Sequence, residues 1–501
     1  MRSIFSEGRG PGRSAGRTRS RARYAGMVAA AVAAVVVAAG CSSSSSTGSS
    51  TSSSTSSAPA SSAAATGSSS SPAAASGANE TTLPTAAPSV SGTVPASDVG
   101  ITATTIKVGI IADVNNPLVP GLFQDSVNTV KAWAGIVNAA GGLDGRKVVV
   151  DFCDGKLDPN ATTNCVIKAC QNDFALVGTS ANALADLADI DGCKNSAGKA
   201  VGIANLPAFA FPPQICDPDV YTYAGIGTYC KTAKQSPATY DVPVGDAQYF
   251  TKQFQNLHGI WLYDTDDPTF KLTQTPDFQA MSNLGIKKDG EGFYGLSGAA
   301  PQSALTPFIQ QIKASQSNFV YVDVTTASMS LVRREAQLQG VNNQVKVWEC
   351  NSGCYDPSFY KLGGATVNGT YAMLVDVPYL SDYKTNPALS KLISALGGTD
   401  NFNNNAMGSY IEALLFQDAV DKVIASGQPL NRASLFTALN GEHNFDAQGL
   451  IGPTDVGNHL SSTCNVMVQL QNGVWNRVAP TTPGTMNCNP DNKATIKMTV
   501  S

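Results

Sequence analysis

Short apolar segments alternate with helical segments along most of the chain from Ile106 onward. Residues 106–112 (IKVGIIA) form a short, mostly apolar run of the length of a buried strand. In the segment that follows, Val127, Val130, Ala134 and Val137 recur at helical spacing. A parallel strand can be joined to the next only by a crossover, so this alternation predicts a parallel sheet with helices on both faces.

The alternation continues in two series, which predict two α/β lobes with several crossings between them. In the first series, strands are predicted at 147–152, 174–178 and 200–204, and helices at 160–172 and 181–190. The second series has strands at 259–263, 319–324 and 345–348, and helices at 276–284, 302–314 and 327–339. A loop-rich stretch at 205–245 separates the series, helices return at 387–396 and 406–425, and Asn472-Gly473 predicts a closing hairpin.

The first 40 residues have the pattern of a bacterial export signal. Residues 1–24 carry seven Arg and one acid, and residues 27–40 are an uncharged apolar run, too short to cross a bilayer comfortably. The run ends at Ala39-Gly40-Cys41, which resembles a lipoprotein cleavage box whose Cys41 is lipidated. An uncleaved anchor, or ordinary secretion, is the alternative.

The segment from 42 to 100 is predicted to be a disordered tether. It has no Lys or Arg, is dominated by Ser, Ala, Thr, Gly and Pro, and cannot bury a core. As a flexible coil it would span about 40–45 Å. Together with the lipid on Cys41, it would hold a folded body at the outer face of the cytoplasmic membrane.

The charge of the chain argues against polyanionic partners. Without residues 1–24, the chain has 26 basic and 36 acidic residues, a net charge of −10. Nucleic-acid and anionic-membrane surfaces need a basic footprint, so we expect neither as a partner of the folded body.

Ten cysteines remain after Cys41, and an even number in an exported protein indicates disulfides. They are Cys153, Cys165, Cys170, Cys193, Cys216, Cys230, Cys350, Cys354, Cys464 and Cys488. Short closures, Cys216 with Cys230, Cys350 with Cys354 and Cys464 with Cys488, are the expected pairs. A zinc site at Cys350 and Cys354 is the rival, but no second Cys or His pair stands nearby at ligand spacing.

Polar residues at predicted strand ends are the candidate ligand-binding groups, since open α/β sheets bind ligands outside the carboxyl ends of their strands. Thr179, Ser180 and Asn182 follow the strand at 174–178, where a helix N-terminus could receive a carboxylate. A capping role for Thr179 or Ser180 is the alternative. The other candidates are Asp113 and Asn115, Tyr263 and Asp264, and Thr325 and Thr326.

Several long segments resemble the leucine/isoleucine/valine-binding family, the type I periplasmic binding proteins of ABC importers. They are ITATTIKVGIIADV, WAGIVNAAGGLDGRKVVVDFCDGKLDPNATTNCV, FALVG, LTPFIQQIKASQSNFVYVDVTTASMSLVRREAQLQGV and GSYIEALLFQDAVDKV, so the resemblance covers about residues 101–480. It implies two Rossmann-like lobes with parallel-type sheets, three hinge crossovers and a ligand cleft between the lobes. The lobes would comprise 101–240 with 372–455, and 241–371 with 456–501.

The resemblance also implies roles for individual residues. Amino-acid binders of the family hold the carboxylate with a post-strand Ser or Thr, here Thr179 or Ser180. A second polar group follows the next strand, here Asn205, and an acid from the other lobe, here Glu349, meets the ammonium. Asn205-Leu206-Pro207 departs from the usual Ser- or Thr-containing turn, and a solvated strand-end acid is the alternative for Glu349.

The expected function is the capture of a small polar solute, an amino acid, an amide or a related carboxylate, for an ABC permease. We expect a lipid-anchored, monomeric protein without a cofactor or metal. A ligand-sensing receptor of the same fold is the alternative. A secreted hydrolase is a weaker one, because no G-x-S-x-G, H-E-x-x-H or Walker motif occurs.

Overall fold

A computed structural model describes residues 92–116, 120–182, 184, 188–266 and 270–500. The predicted signal peptide, Cys41 and residues 42–91 of the tether lie outside the described residues. Residues 92–100 are described and lie against the folded body instead of forming a free tether, with Val94 buried and Asp98 accepting a hydrogen bond from Arg432 N–H. Within the described part, no helix is both long and apolar enough to cross a membrane.

The described residues form thirteen strands and fourteen α-helices. The strands are β1 (Thr105–Ala112), β2 (Lys147–Asp154), β3 (Ala175–Ser180), β4 (Asn205–Phe209), β5 (Ala238–Pro243), β6 (His258–Asp264), β7 (Lys287–Leu296), β8 (Phe319–Asp323), β9 (Val347–Cys350), β10 (Thr370–Leu374), β11 (Val466–Gln471), β12 (Val474–Ala479) and β13 (Lys493–Met498). The helices are α1 (Gln124–Ala139), α2 (Pro159–Asn172), α3 (Ala188–Asp191), α4 (Pro212–Ile215), α5 (Gly227–Thr232), α6 (Gly245–Gln253), α7 (Phe270–Asn283), α8 (Thr306–Ser315), α9 (Thr326–Leu338), α10 (Phe359–Gly363), α11 (Tyr379–Asp382), α12 (Pro387–Ala395), α13 (Asn404–Ala425) and α14 (Arg432–Asn440).

The first sheet has the order β2-β1-β3-β4 and is parallel throughout. Its central strands β1 and β3 are buried along nearly their whole length because helices pack on both faces of the sheet, whereas the edge strand β2 is partly exposed. The predicted apolar stripe of α1, including Val127, Val130 and Ala134, is buried. On that face Trp133 meets Phe416 of α13 edge-on, so a late helix completes a sheet made by the first half of the chain.

The second sheet has the order β12-β11-β10-β9-β8-β6-β7. The strands β6 to β10 run parallel, and β11 and β12 add an antiparallel edge. The predicted hairpin joins β11 to β12, with Asn472 and Gly473 at φ +51° and +78°, the left-handed backbone that a tight hairpin turn needs.

The chain passes between the two sheets three times. It leaves the first sheet after β4 to enter the second, returns after β10 to place α13 against β3 and β4, and goes back to add β11. This is the crossing pattern that the sequence predicts.

A third sheet pairs β5 with β13 over six antiparallel residue pairs, from Lys493 opposite Pro243 to Met498 opposite Ala238. The sequence placed 238–243 in a loop-rich stretch, and that expectation is wrong. The two strands lie about 250 residues apart in the chain, so neither signals the other locally.

The predicted strand at 200–204 is also wrong, because β4 begins at Asn205. Pro207 lies inside β4, where the ladder shifts register between Val177 and Thr179 of β3. A proline inside an apolar run argues against a strand, and the irregular ladder is what accommodates it here.

Three other strands extend further than predicted. β3 reaches Ser180, β6 reaches Asp264 and β9 reaches Cys350, so Thr179, Asp264 and Glu349 lie within strands rather than after them. In the predicted helix at 181–190, only residues 188–190 are described as helical, within α3. The helix α7 begins at Phe270, six residues before the predicted start at Pro276.

All ten cysteines of the described body form disulfides. Three pairs are the short closures that the sequence predicts: Cys216 with Cys230, Cys350 with Cys354, and Cys464 with Cys488. The remaining two join Cys153 to Cys165 and Cys170 to Cys193, both within the first α/β units.

Candidate functional site

The carboxyl ends of β1 and β3 bring together the first group of predicted site residues. Asp113 is fully buried and accepts hydrogen bonds from the backbone N–H of Leu157 (2.9 Å) and of Asn182 (2.8 Å). The Asn115 side chain donates to Asp154 Oδ2 at 2.6 Å. Both residues therefore tie neighbouring loops together at this edge of the sheet.

Ser180 and Thr179 differ in how their hydroxyls are used. Ser180 Oγ lies 3.1 Å from Ser126 Oγ and 3.2 Å from the carbonyl of Gly178, so it is held against α1. Thr179 Oγ1 and Asn182 Oδ1 are buried and have no hydrogen-bond partner among the described groups. These two atoms keep hydrogen-bonding capacity for another molecule.

Asn205 does not lie beside these groups. The parallel register sets Asn205 opposite Leu176 and sets Phe209 opposite Ser180. Asn205 is therefore four residues, about 13 Å, short of the carboxyl end of β4. Its amide is buried and lacks a partner among the described groups, but the position that follows the strand is occupied by aromatic residues instead.

A row of four phenylalanines marks that position. The ring centroids of Phe123 and Phe209 are 5.8 Å apart, those of Phe209 and Phe211 are 5.1 Å apart, and those of Phe211 and Phe270 are 5.4 Å apart. Phe209 ends β4, whereas Phe270 begins α7, which packs against the second sheet. The sequence reasoning missed this row, although the pattern Phe209-Ala210-Phe211-Pro212 at a strand end is visible in the sequence.

On the second sheet, four carboxyl groups gather below the ends of β8 and β9. They belong to Asp246 in the first turn of α6, Asp277 of α7, Asp323 of β8 and Glu349 of β9, and we call them the acid cluster. None of the ion pairs within the described ranges includes any of these four carboxyls.

Burial governs the charge of the acid cluster. It raises the pKa of Glu349 and Asp277 well above their ordinary values, and the neighbouring carboxylates add to the effect. Burial also raises the pKa of Asp246 to about 6, against the lowering by its hydrogen bonds to Ala247 N–H and Glu349. Without an added cation, some of these groups hold protons at neutral pH.

The polar side chains beside the acid cluster use only part of their hydrogen-bonding capacity. Asp323 accepts a hydrogen bond from Asn351 Nδ2 at 2.6 Å and another from Gln274. Gln274 Oε1 is buried without a partner among the described groups. The oxygens of Glu349 meet no amide or hydroxyl donor there and face the carboxyl of Asp246.

The remaining predicted residues of the second sheet have structural contacts. The ring of Tyr263 stacks on Phe293 at 4.2 Å, and Asp264 Oδ1 accepts from Asp266 N–H at 2.8 Å. Thr325 caps α9 by accepting from Ser328 N–H at 3.1 Å, and Thr326 donates to the carbonyl of Gly353 at 2.9 Å.

A cavity of about 120 Å³ lies beside the acid cluster. The segment that follows β4 contributes Pro212 and Tyr229, β5 contributes Tyr240, and α7 contributes Leu272 and Asp277. Pro212 follows Phe211 directly and Leu272 is two residues from Phe270, so the cavity lies near the phenylalanine row in sequence, although none of the four phenylalanines lines it. The cavity thus has an apolar wall and an acidic end.

Comparison with known proteins gives one family. The family model described as "Periplasmic binding protein" matches residues 105–474. No curated protein matches the chain.

Solved structures with the same fold share little sequence with it. A fatty acid ABC transporter substrate-binding protein from Thermomonospora curvata has a TM-score of 0.58 at 16% identity, over 79% of this chain and 96% of that chain. A leucine binding protein from Thermotoga maritima has a TM-score of 0.58 at 14% identity, over 77% and 100%. An ABC transporter substrate binding protein from Aeropyrum pernix has a TM-score of 0.58 at 17% identity, over 76% and 98%. These likenesses confirm the predicted α/β fold.

Proposed function

Because the chain belongs to the periplasmic binding protein family, we propose that it is the extracytoplasmic solute-binding subunit of an ABC importer. Membership of this family makes the chain a binding protein and not an enzyme. In the proposed function, it takes a small solute from the surroundings and delivers the solute to a membrane permease.

One observation carries the proposal: the carboxyl end of β4 in the first sheet touches α7 of the second sheet. The contact is between the rings of Phe211 and Phe270. A solute held at this contact would touch both halves of the fold, as the general rule for open α/β sheets expects. Thr179 and Asn182 on one side, and Gln274 on the other, bring buried polar atoms without partners among the described groups. Glu349 adds a buried carboxyl that is hydrogen-bonded only to another acid, Asp246, among the described groups.

Capture would work by closure of two lobes about the three crossings. We propose the lobes 101–240 with 372–455, and 241–371 with 456–501, so that β5 and β13 lie at the boundary. A solute that contacts both lobes favours the closed form by its extra affinity for that form. Neither lobe alone would remove the solute from water.

We propose that the solute is small and at least partly polar. The groups proposed to bind it are the predicted site residues, with Thr179, Asn182 and Glu349 as the principal ones. Asn205 is a weaker member of this set because it lies away from the strand end. Relatives named for leucine and for fatty acids show that this fold accepts both polar and apolar solutes.

The proposed location is the outer face of the cytoplasmic membrane. Lipidation of Cys41 would anchor the chain, and the part of the tether that precedes residue 92 would let the folded body reach a permease. Five disulfides support an oxidising, extracytoplasmic compartment.

Two measurements in a host strain test this proposal. The full chain is purified, its bound small molecules are released by denaturation and identified by mass spectrometry, and uptake of the identified solute is then measured with and without the gene. We expect uptake to be lost without the gene and restored by it. Binding of the solute with uptake unchanged would favour a sensing receptor, a role for which some solved structures of this fold are named.

A further inference from the structure

The acid cluster of Asp246, Asp277, Asp323 and Glu349 has acceptors in excess of donors. Burying an ionised carboxylate without a partner is costly, and proteins normally supply a cation or several N–H donors. Within the described part, the donors that reach the cluster include the Asn351 amide, Gln274 and the backbone N–H groups of Asp246 and Ala247. The Tyr321 hydroxyl lies in the electrostatic field of all four carboxyls. No Lys, Arg or His there compensates the charge.

A second observation points to a ligand rather than to chance. Gln274, which is 5% exposed, keeps its Oε1 atom without a donor although its amide reaches Asp323. Glu349 is fully buried, and its carboxyl shares a hydrogen bond with the carboxyl of Asp246 rather than with a cation or an amide. Buried acceptors without donors are rare in folded proteins because each one costs free energy.

The cavity beside the cluster supplies room and an apolar wall. Asp277 lines the cavity, and its half-buried carboxyl also lies in the electrostatic field of Asp323 and Asp246. The opposite walls include Pro212, Tyr240 and Leu272. The other acid of the cavity, Asp241, is already engaged by Thr228, Thr495 and Lys493.

We propose that the solute is an organic cation, with an ammonium or guanidinium group that donates to Asp277 and an apolar body that lies in the cavity against Pro212, Tyr240 and Leu272. This inference rests on the proposed function and names its substrate class. A group with N–H donors fits better than a quaternary ammonium, because the carboxyl of Asp277 accepts hydrogen bonds, which a quaternary ammonium cannot donate.

A free carboxylate on the solute would have no matching group at this end of the site. Among the residues that line the cavity, none is Lys, Arg or His, and two are Asp. A carboxylate there would meet no cation, whereas an ammonium group would favour the ionised form of Asp277 and pair with it. A metal ion is a poorer occupant, because no group of three or more His, Cys, Asp or Glu in the described ranges is arranged to hold one.

Matched pairs of probes test the inference on the full chain purified in mild detergent. Phenethylamine is compared with hydrocinnamate, and hexylamine with heptanoate, by calorimetry near neutral pH. We expect at least one amine to bind and neither carboxylate to do so. Asp277→Asn, which keeps the side-chain size, should weaken amine binding by about thirtyfold or more, the loss typical of a buried charge pair that loses one partner.

Asp400→Asn is the matched control, because Asp400 is a highly exposed acid on the surface. It should bind the amine as the unchanged protein does. Removal of a half-buried carboxyl that lies among other acids should also leave the unliganded Asp277→Asn protein at least as heat-stable as the unchanged one, so lost binding would not reflect unfolding.

The outcomes separate the substrate class from the function. Tighter binding of a carboxylate than of its amine, no binding of either amine, or full amine affinity in Asp277→Asn would overturn the organic-cation inference. Scattering on the same samples reports the function independently: if a carboxylate probe compacts the protein, the solute-binding function stands and only the substrate class is wrong.

Discussion

The ring of Phe211 meets the ring of Phe270 edge-on, with 5.4 Å between the ring centroids and 84° between the ring planes. Phe211 follows β4 of the first sheet, and Phe270 begins the helix α7 that packs on the second. This aromatic pair is the contact between the two strand-end edges around which the proposed cleft is organised. An edge-to-face pair of this kind adds about 0.5–1.5 kcal/mol beyond the area it buries.

Phe211→Ala should therefore weaken solute binding without unfolding the protein. We expect a loss of about 1–3 kcal/mol in binding free energy, because the solute loses an apolar wall and the closed form loses a contact. Calorimetry with the identified solute measures the loss. Phe308→Ala is the control, since Phe308 forms a similar edge-on pair with Tyr294 away from this edge. Equal losses in both variants would argue against a special role for Phe211.

The free energy of unfolding should fall as the pH rises from about 4 to about 7, because of Asp376. Burial raises the pKa of Asp376 to about 7 from an ordinary value of 3.8. The folded form then binds a proton that the unfolded form releases, so the contribution of Asp376 is complete below about pH 4 and declines as pH rises toward 7, by about 1.4 kcal/mol per pH unit.

Asp376→Asn should flatten this part of the stability profile, because the amide cannot ionise. Urea unfolding at a series of pH values measures the slope, and Asp400→Asn, which removes an exposed carboxyl, should leave the slope as it is. A profile in Asp376→Asn as steep as in the unchanged protein would show that Asp376 is not protonated in the folded form.

The disulfides should differ in their contribution according to the loop that each one closes. Cys170 and Cys193 are separated by 23 positions, and Cys350 and Cys354 by four. In the chain-entropy model, loss of the longer loop costs about 1.5 kcal/mol more. Chemical unfolding of the two double Cys→Ala variants tests this order, and a greater loss for the Cys350 and Cys354 variant would contradict it.

The export signal makes a prediction for Cys41. If Cys41 is acylated, Cys41→Ala should be released from the membrane fraction or remain unprocessed, whereas the unchanged chain should stay in the membrane fraction. Cell fractionation and the mass of the mature chain decide between these results. A Cys41→Ala chain that is cleaved normally and stays firmly bound to the membrane would exclude a lipid anchor at this position.

Much of the fold could be predicted from local patterns. The β-α alternation, the apolar stripe of α1 and the turn at Asn472-Gly473 each lie within one short segment, and local spacing is enough to predict them. The closure of Cys350 with Cys354 is also local. These features depend on neighbours in sequence.

Other features depend on partners that are distant in sequence. Pro207 makes the β4 segment unlike a strand in the sequence. The sequence therefore predicts Asn205 after a strand, whereas Asn205 begins one. The acid cluster unites residues from α6, α7, β8 and β9 over about 100 positions, and only Glu349 was selected, through a family resemblance. Phe270 acquires its role from Phe211, which is 59 positions away. No local pattern indicates such contacts.

The central claim, that a solute is captured by closure of two lobes, is tested most directly by small-angle X-ray scattering. The full chain in mild detergent is measured with and without the solute that it carries from cells, after that solute has been removed by unfolding and refolding. The account predicts a smaller radius of gyration with the solute, and no such decrease in Phe211→Ala at the same solute concentration. A solute that binds at full affinity while the radius of gyration stays the same would contradict the account.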